Sequence, residues 1–90
     1  MINNVPVRRK DGSLVAKETS MDSIVDRVGL RIRIAREERG LSQEELGTLA
    51  GLHRAYIGQI ERGEKNIGLK NLERIAKALD VETRWLLDVP

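Results

Sequence analysis

The sequence predicts an all-α domain of five short helices, and three observations lead to that prediction. Apolar residues recur at helical spacing in successive segments between residues 23 and 88. Gly40, Gly51 and Gly63 follow three of those segments, at positions where a helix commonly ends. The 90-residue chain has single-domain size, few aromatic residues and no cysteine, so its core must be aliphatic and free of disulfides.

The first helix is predicted over residues 23–39, with Ser20 or Ser23 as its cap. Four apolar residues form one stripe along it, which we expect to be buried: Ile24, Val28, Ile32 and Ala35.

Two shorter helices follow, around one glycine turn. Ser42 and Glu45 have the S-x-x-E spacing of a capping box and open a second helix over 43–50. Its predicted inner face consists of Leu46, Leu49 and Ala50. Gly51 provides the turn, and a third helix covers 54–62 with an apolar side made of Leu52, Tyr56, Ile57 and Ile60. Two short helices joined by a brief glycine turn predict a helix-turn-helix.

The C-terminal part of the chain predicts two more helices, over 69–79 and 83–88. The inward side of the fourth helix is predicted to consist of Leu69, Leu72, Ile75, Ala76 and Leu79. Three adjacent bulky residues on the fifth helix cannot all face one core, so part of them should be exposed. The candidate dimer surface is therefore Val81, Trp85, Leu86, Leu87 and Val89.

The composition excludes several classes of function. Sixteen basic against fourteen acidic residues give a net charge of +2, which permits a nucleic-acid partner without demanding one. A single histidine and no cysteine predict no metal site and no cofactor, and no catalytic triad or glycine-rich phosphate loop is recognisable, so we expect no enzyme. No signal peptide or membrane-spanning run is recognisable, which predicts a cytoplasmic protein of bacterial or phage origin, associated with the nucleoid.

Residues spread from about 28 to 87 resemble the Cro/phage-repressor, or xenobiotic-response-element-type, family of helix-turn-helix regulators. The resemblance is carried by Ile32, Arg33, Arg36, the run GLSQEEL at 40–46, AGL at 50–52, Tyr56, Ile57, IERG at 60–63, Leu72, Ile75, Ala76, Ala78, Leu79, Val81 and WLL at 85–87. Segment 53–66 looks closest to restriction–modification controller proteins. The resemblance implies a five-helix lambda-repressor-like domain that binds double-stranded DNA as a homodimeric repressor or controller, with its third helix in the major groove.

Three side chains of the third helix are candidate base contacts. Arg54 can donate a bidentate fork to guanine, although an arginine there can also remain solvated or bind only phosphate. Ala55 can contact a thymine methyl group or simply be a surface alanine, and Gln59 can pair with adenine. Gly58 either lets the backbone approach DNA closely or is neutral at a solvent position.

Six side chains are candidate phosphate contacts: Gln43, His53, Tyr56, Arg62, Lys65 and Asn66. Gln43 lies at the start of the second helix, where free N–H groups favour an anion. The resemblance further implies a partly buried ion pair between Arg36 and Glu61 that braces helix 1 against helix 3. Two residues depart from the family pattern: Gly47 replaces the usual alanine, and His53 replaces the usual capping residue.

Residues 1–22 are interpreted as an N-terminal extension of a domain that covers 23–90. The Asp11-Gly12 pair between short apolar segments predicts a β-hairpin. The basic residues Arg8, Arg9 and Lys10 make a DNA-binding arm an alternative, and a lock between subunits or a leader without a role are two others.

A second functional hypothesis is a protein-interaction module, such as an antitoxin, that uses the same fold to bind a protein partner. Either the basic extension or the apolar C-terminal end could meet that partner.

Overall fold

The computed structural model describes residues 6–8, 14–16 and 23–87. The last of these ranges contains five helices: α1 (Ile24–Glu38), α2 (Gln43–Ala50), α3 (Arg54–Glu61), α4 (Leu69–Leu79) and α5 (Thr83–Leu87). Each bound lies within one residue of the predicted one, and the all-α, five-helix fold class is confirmed.

Two short strands precede the helices. Strands β1 (Pro6–Arg8) and β2 (Leu14–Ala16) pair antiparallel, with Val7 opposite Val15. This is the pairing that a hairpin requires, but the Asp11-Gly12 turn lies outside the described residues. The division of the chain at residue 22 stays a prediction.

Local sequence signals set the helix ends. Ser23 caps α1, its hydroxyl accepting from the Val25 N–H at 3.2 Å. The capping box of α2 has both of its bonds: the Ser42 hydroxyl accepts from the Glu45 N–H at 3.0 Å, and Glu45 accepts from the Ser42 N–H at 2.8 Å. Gly51 has a φ of 71°, so the left-handed turn between α2 and α3 suits a residue without a side chain.

The core is aliphatic, as expected from the composition. Its buried residues come from all five helices: Val28, Ile32, Ala35, Leu46, Ala50, Ile57, Ile60, Leu72, Ile75, Ala76, Leu79 and Leu86. Helix α3 packs against both α1 and α2, while α4 packs on α2 and α5 closes the other side against α1 and α4. The inner side of α3 is thereby fixed, and its outer side faces away from the core.

Three residues predicted to face inward are exposed instead. Ile24 is the first residue of α1 and lies one turn before the first buried residue of that helix, so it is 51% exposed. Leu69 opens α4 in the same way and is 79% exposed. Leu49 is 60% exposed because Leu46 and Ala50 already fill the side of α2 that meets the core.

The α5 region corrects the predicted dimer surface. Leu86 is completely buried and belongs to the core, so it cannot contribute to a surface. Trp85 is half-buried, with the guanidinium of Arg31 4.5 Å from its ring centre, and Leu87 is 38% exposed. Val81 is half-buried, and Val89 lies outside the described residues. The expectation that only part of the Trp-Leu-Leu run can face the core is correct. Leu86 lies in the core, whereas Trp85 is half-buried and Leu87 is exposed.

Candidate nucleic-acid interface

The N-terminal end of α3 is open to solvent. Arg54 and Ala55 are exposed in the first turn of α3, and Gln59, one turn after Ala55, is half-buried. His53 occupies the N-cap position in an extended conformation, is exposed, and makes no capping bond with its side chain.

Within the described part of the chain, the side chain of Arg54 is paired with one carboxylate. Its Nη1 lies 3.4 Å from a carboxylate oxygen of Glu44, and both side chains are 71% exposed. This single long contact leaves most of the guanidinium open to an incoming ligand. Glu44 could not be singled out from the sequence, since its pairing with Arg54 depends on how α2 and α3 pack.

Gln43 connects the start of α2 to the end of α3. It is half-buried, and its amide nitrogen donates to Glu61 Oε1 at 3.1 Å. The side chain therefore connects α2 to α3 and also lies beside the N-terminal end of α2. The first N–H groups of a helix lack intrahelical acceptors, so those of Gln43 and Glu44 are the donors that α2 can offer to an anion.

Gly58 is buried, which corrects both readings of it as a solvent or DNA-facing position. A Cβ atom there would lie 3.3 Å from Gln43 Oε1 and 3.1 Å from Arg62 Nη1, both closer than ordinary packing. The missing side chain thus makes room for these two polar groups to fold over α3.

Arg36 and Glu61 form a bidentate ion pair beneath the interface. Arg36 donates from Nε and Nη2 to the two carboxylate oxygens at 2.7 and 2.9 Å, and from Nη1 to the Leu41 carbonyl at 2.8 Å. The side chains are only 11% and 3% exposed. The hydrogen bonds to Glu61 raise the pKa of Arg36 above its ordinary value, so this arginine stays charged.

Tyr56 links α3 to α4. It is half-buried, and its hydroxyl accepts from the Asn71 amide at 3.1 Å, which leaves the hydroxyl hydrogen available for another acceptor. Asn71 orients this hydroxyl and was missed from the sequence, where nothing distinguishes it from other polar residues of α4.

The segment after α3 carries three exposed candidates, Arg62, Lys65 and Asn66. Arg62 is engaged by a carboxylate of its own segment, since Nε and Nη2 donate to Glu64 at 2.8 and 3.1 Å. The fork raises the pKa of Arg62 and lowers the pKa of Glu64, so the pair is fully charged at neutral pH.

The described residues hold no cluster of three or more metal-ligating side chains. None of the helices described is long and apolar enough to cross a membrane.

Comparisons with known proteins agree with this geometry. The control protein C.BamHI of Bacillus amyloliquefaciens is 46% identical over 61 residues, which are 67% of this chain and 75% of that protein. The crystal structure of the restriction-modification controller protein C.AhdI from Aeromonas hydrophila superimposes with a TM-score of 0.68 at 47% identity, covering 69% of this chain and 94% of that one.

The crystal structure of SinR, a master regulator for biofilm formation, in complex with DNA gives a TM-score of 0.66 at 39% identity and covers 68% of this chain and 98% of that one. The profile of the family described as helix-turn-helix matches residues 32–86, more than half of the chain. The resemblance seen in the sequence is thereby confirmed, and the chain belongs to the helix-turn-helix family, which includes restriction-modification controllers and SinR-type regulators.

Proposed function

We propose that this protein binds double-stranded DNA at specific sequences and regulates transcription as a homodimer, as a repressor or a controller. The observation that carries the proposal is the exposed N-terminal end of α3, a helix whose C-terminal end is fixed by the part-buried network of Arg36, Glu61 and Gln43. A helix with exposed polar side chains at its N-terminal end suits readout of the major groove. The relatives include bacterial regulators and a phage repressor, and one of them is solved on DNA, which supports a cytoplasmic location at the nucleoid of a bacterial cell.

The proposed base contacts follow from exposure and chemistry. Arg54 offers its guanidinium edge to guanine once its single contact with Glu44 is released. Ala55 offers a methyl group to thymine, and Gln59 offers its amide to adenine from its half-buried position on the same side.

The proposed phosphate contacts surround that reading end. They are the start of α2 at Gln43, the exposed His53, the oriented hydroxyl of Tyr56, and the segment after α3 with Arg62, Lys65 and Asn66. These groups would fix the register of α3 without reading sequence themselves.

A homodimer extends a reading helix that covers only a few base pairs. Two copies related by two-fold symmetry place their α3 helices about one DNA turn apart, roughly 34–36 Å. The exposed apolar side chains of Leu87 in α5 and of Leu30 and Ile34 in α1, together with half-buried Val81 and Trp85, are the surface that we propose for this contact, because α1 and α5 pack together.

Selection of binding sites from a random duplex library tests the proposal. The wild-type protein should enrich a sequence with two-fold symmetry, and Arg54→Ala should relax the preference at one base pair while costing about 1–3 kcal/mol of binding free energy. Lys65→Ala should weaken binding to selected and mixed-sequence duplexes alike. Arg33→Ala, an exposed arginine of α1, is the matched control for lost charge. An equal loss for Arg54→Ala on selected and mixed-sequence duplexes would contradict the base-reading role.

A further inference from the structure

Two arginines of the proposed DNA face, Arg54 and Arg62, are each paired with a carboxylate of the same chain. Arg54 makes a single contact of 3.4 Å with Glu44, whereas Arg62 makes a full fork with Glu64 at 2.8 and 3.1 Å. The side chains of Arg62 and Glu64 are 57% and 54% exposed, so this fork lies at the surface and not in the core. It therefore has no evident role in holding the fold together.

The fork uses the atoms that a DNA phosphate would use. A guanidinium edge presents two parallel N–H donors, and that geometry fits a carboxylate and a phosphate equally well. Because Glu64 takes the Nε and Nη2 donors of Arg62, this edge cannot bind a phosphate at the same time. The pairing also cancels a positive charge beside Lys65, in the segment that follows the reading helix.

The other edge of Arg62 is turned back onto the protein. Its Nη1 lies over Gly58, 3.1 Å from where a Cβ would be, and the Gln43 side chain lies over the same glycine. Arg62 can therefore offer its open fork to a phosphate only if Glu64 releases it.

We propose that Glu64 is an internal competitor for DNA phosphate, which occupies the fork of Arg62 in the free protein and must release it before Arg62 binds the DNA backbone. The inference rests on the proposed function. Since phosphate contacts carry no sequence information, the competition weakens binding to every duplex, and discrimination between DNA sequences depends on α3. It keeps the protein from accumulating on unrelated DNA.

The variant Glu64→Gln tests this inference by removing the charge while keeping the size of the side chain. We expect it to bind selected and mixed-sequence duplexes roughly two- to fivefold more tightly per bound protomer, the scale of an exposed ion pair. The slope of log affinity against log salt should stay the same, because Arg62 contacts the phosphate in both complexes once Glu64 has released it.

The matched control is Glu82→Gln. Glu82 likewise pairs with an arginine two residues away, with 2.6 Å between its Oε2 and Arg84 Nε. Its side chain is 70% exposed, against 54% for Glu64, but it lies next to α5 and away from α3. The two variants have the same net charge, so only a local effect separates them. We expect Glu82→Gln to leave the affinity for both kinds of duplex unchanged.

Adding Arg62→Gln completes the test. It should cost less affinity in the wild-type background, where Glu64 already holds the fork, than in the Glu64→Gln background, where the fork is free. An equal cost in both backgrounds, or a Glu64→Gln variant that binds no better than Glu82→Gln, would overturn the inference. If the wild-type protein selects no duplex at all, the proposed function fails. If the wild type selects duplexes and Glu64→Gln does not bind them more tightly, only the inference about Glu64 fails.

Discussion

Replacing Arg36 by methionine should destabilise this domain more than any exposed charge change. The substitution leaves the Glu61 carboxylate, 3% exposed, with only the Gln43 amide at 3.1 Å in place of three hydrogen bonds. It also removes the donor at 2.8 Å from the Leu41 carbonyl. Removing one partner of a buried ion pair costs about 3–5 kcal/mol, most of it the cost of an uncompensated buried charge. A domain of this size has a total stability of only about 5 kcal/mol or a little more, so the variant should be near its unfolding threshold.

Thermal unfolding followed by circular dichroism measures this effect. For a domain of 60–100 residues each kcal/mol lowers Tm by about 4–8 °C, so Arg36→Met should melt at least about 12 °C below the wild type. Both proteins must be compared at one concentration, because the Tm of a dimer depends on concentration. Arg33→Met is the control on the same helix: its pair with Glu37 is 58% and 54% exposed, and its loss should lower Tm by less than about 4 °C.

Equal and small decreases in Tm for the two variants would refute the reasoning. They would mean that the Arg36–Glu61 pair is solvated in solution and that its burial does not raise the cost of removing one partner. A double variant, Arg36→Met with Glu61→Leu, separates charge from packing. It should recover part of the loss because no charge is left buried without a partner.

Three further predictions follow from single side chains. Gly47→Ala should destabilise the domain by about 1–3 kcal/mol despite alanine's better helix propensity, because a Cβ would lie 2.5 Å from the Leu52 carbonyl oxygen; urea unfolding checks this. Leu87→Asp should give a folded monomer by light scattering, whereas Leu86→Asp should unfold the chain, since Leu86 is completely buried. The Glu45 carboxylate accepts hydrogen bonds from the Ser42 N–H and from the Ser42 hydroxyl, and these lower the pKa of Glu45. The stability that this carboxylate adds is therefore complete above its ordinary pKa of 4.5 and is lost as the pH falls through the lower folded-state value. Glu45→Gln should therefore show a smaller loss of Tm on acidification through that range.

The helices could be predicted because their ends are set by local chemistry. The capping box of Ser42 and Glu45 and the left-handed Gly51 act on neighbouring backbone groups, so the sequence alone contains the information. Exposure at helix ends could not be predicted, because it depends on which helix packs alongside. Periodicity assigned Leu69 to the core, but the first turn of α4 extends past its neighbours.

The candidate site was only partly predictable for the same reason. Exposure of Arg54 and Ala55 follows from the apolar stripe of α3. The contacts of Glu44, Glu64 and Asn71 depend on side-chain positions in space that no spacing rule encodes. Gly58 was misread because a glycine next to apolar residues on a helix carries no sign of what covers it.

The opposite sides of α3 have independent tasks. Ile57 and Ile60 are completely or almost completely buried, whereas the side chains of Arg54 and Ala55 are exposed. Substitutions at the outer positions can therefore redirect the protein to a different target sequence with little loss of stability. A lineage of such proteins can diversify its targets quickly while the scaffold beneath stays the same.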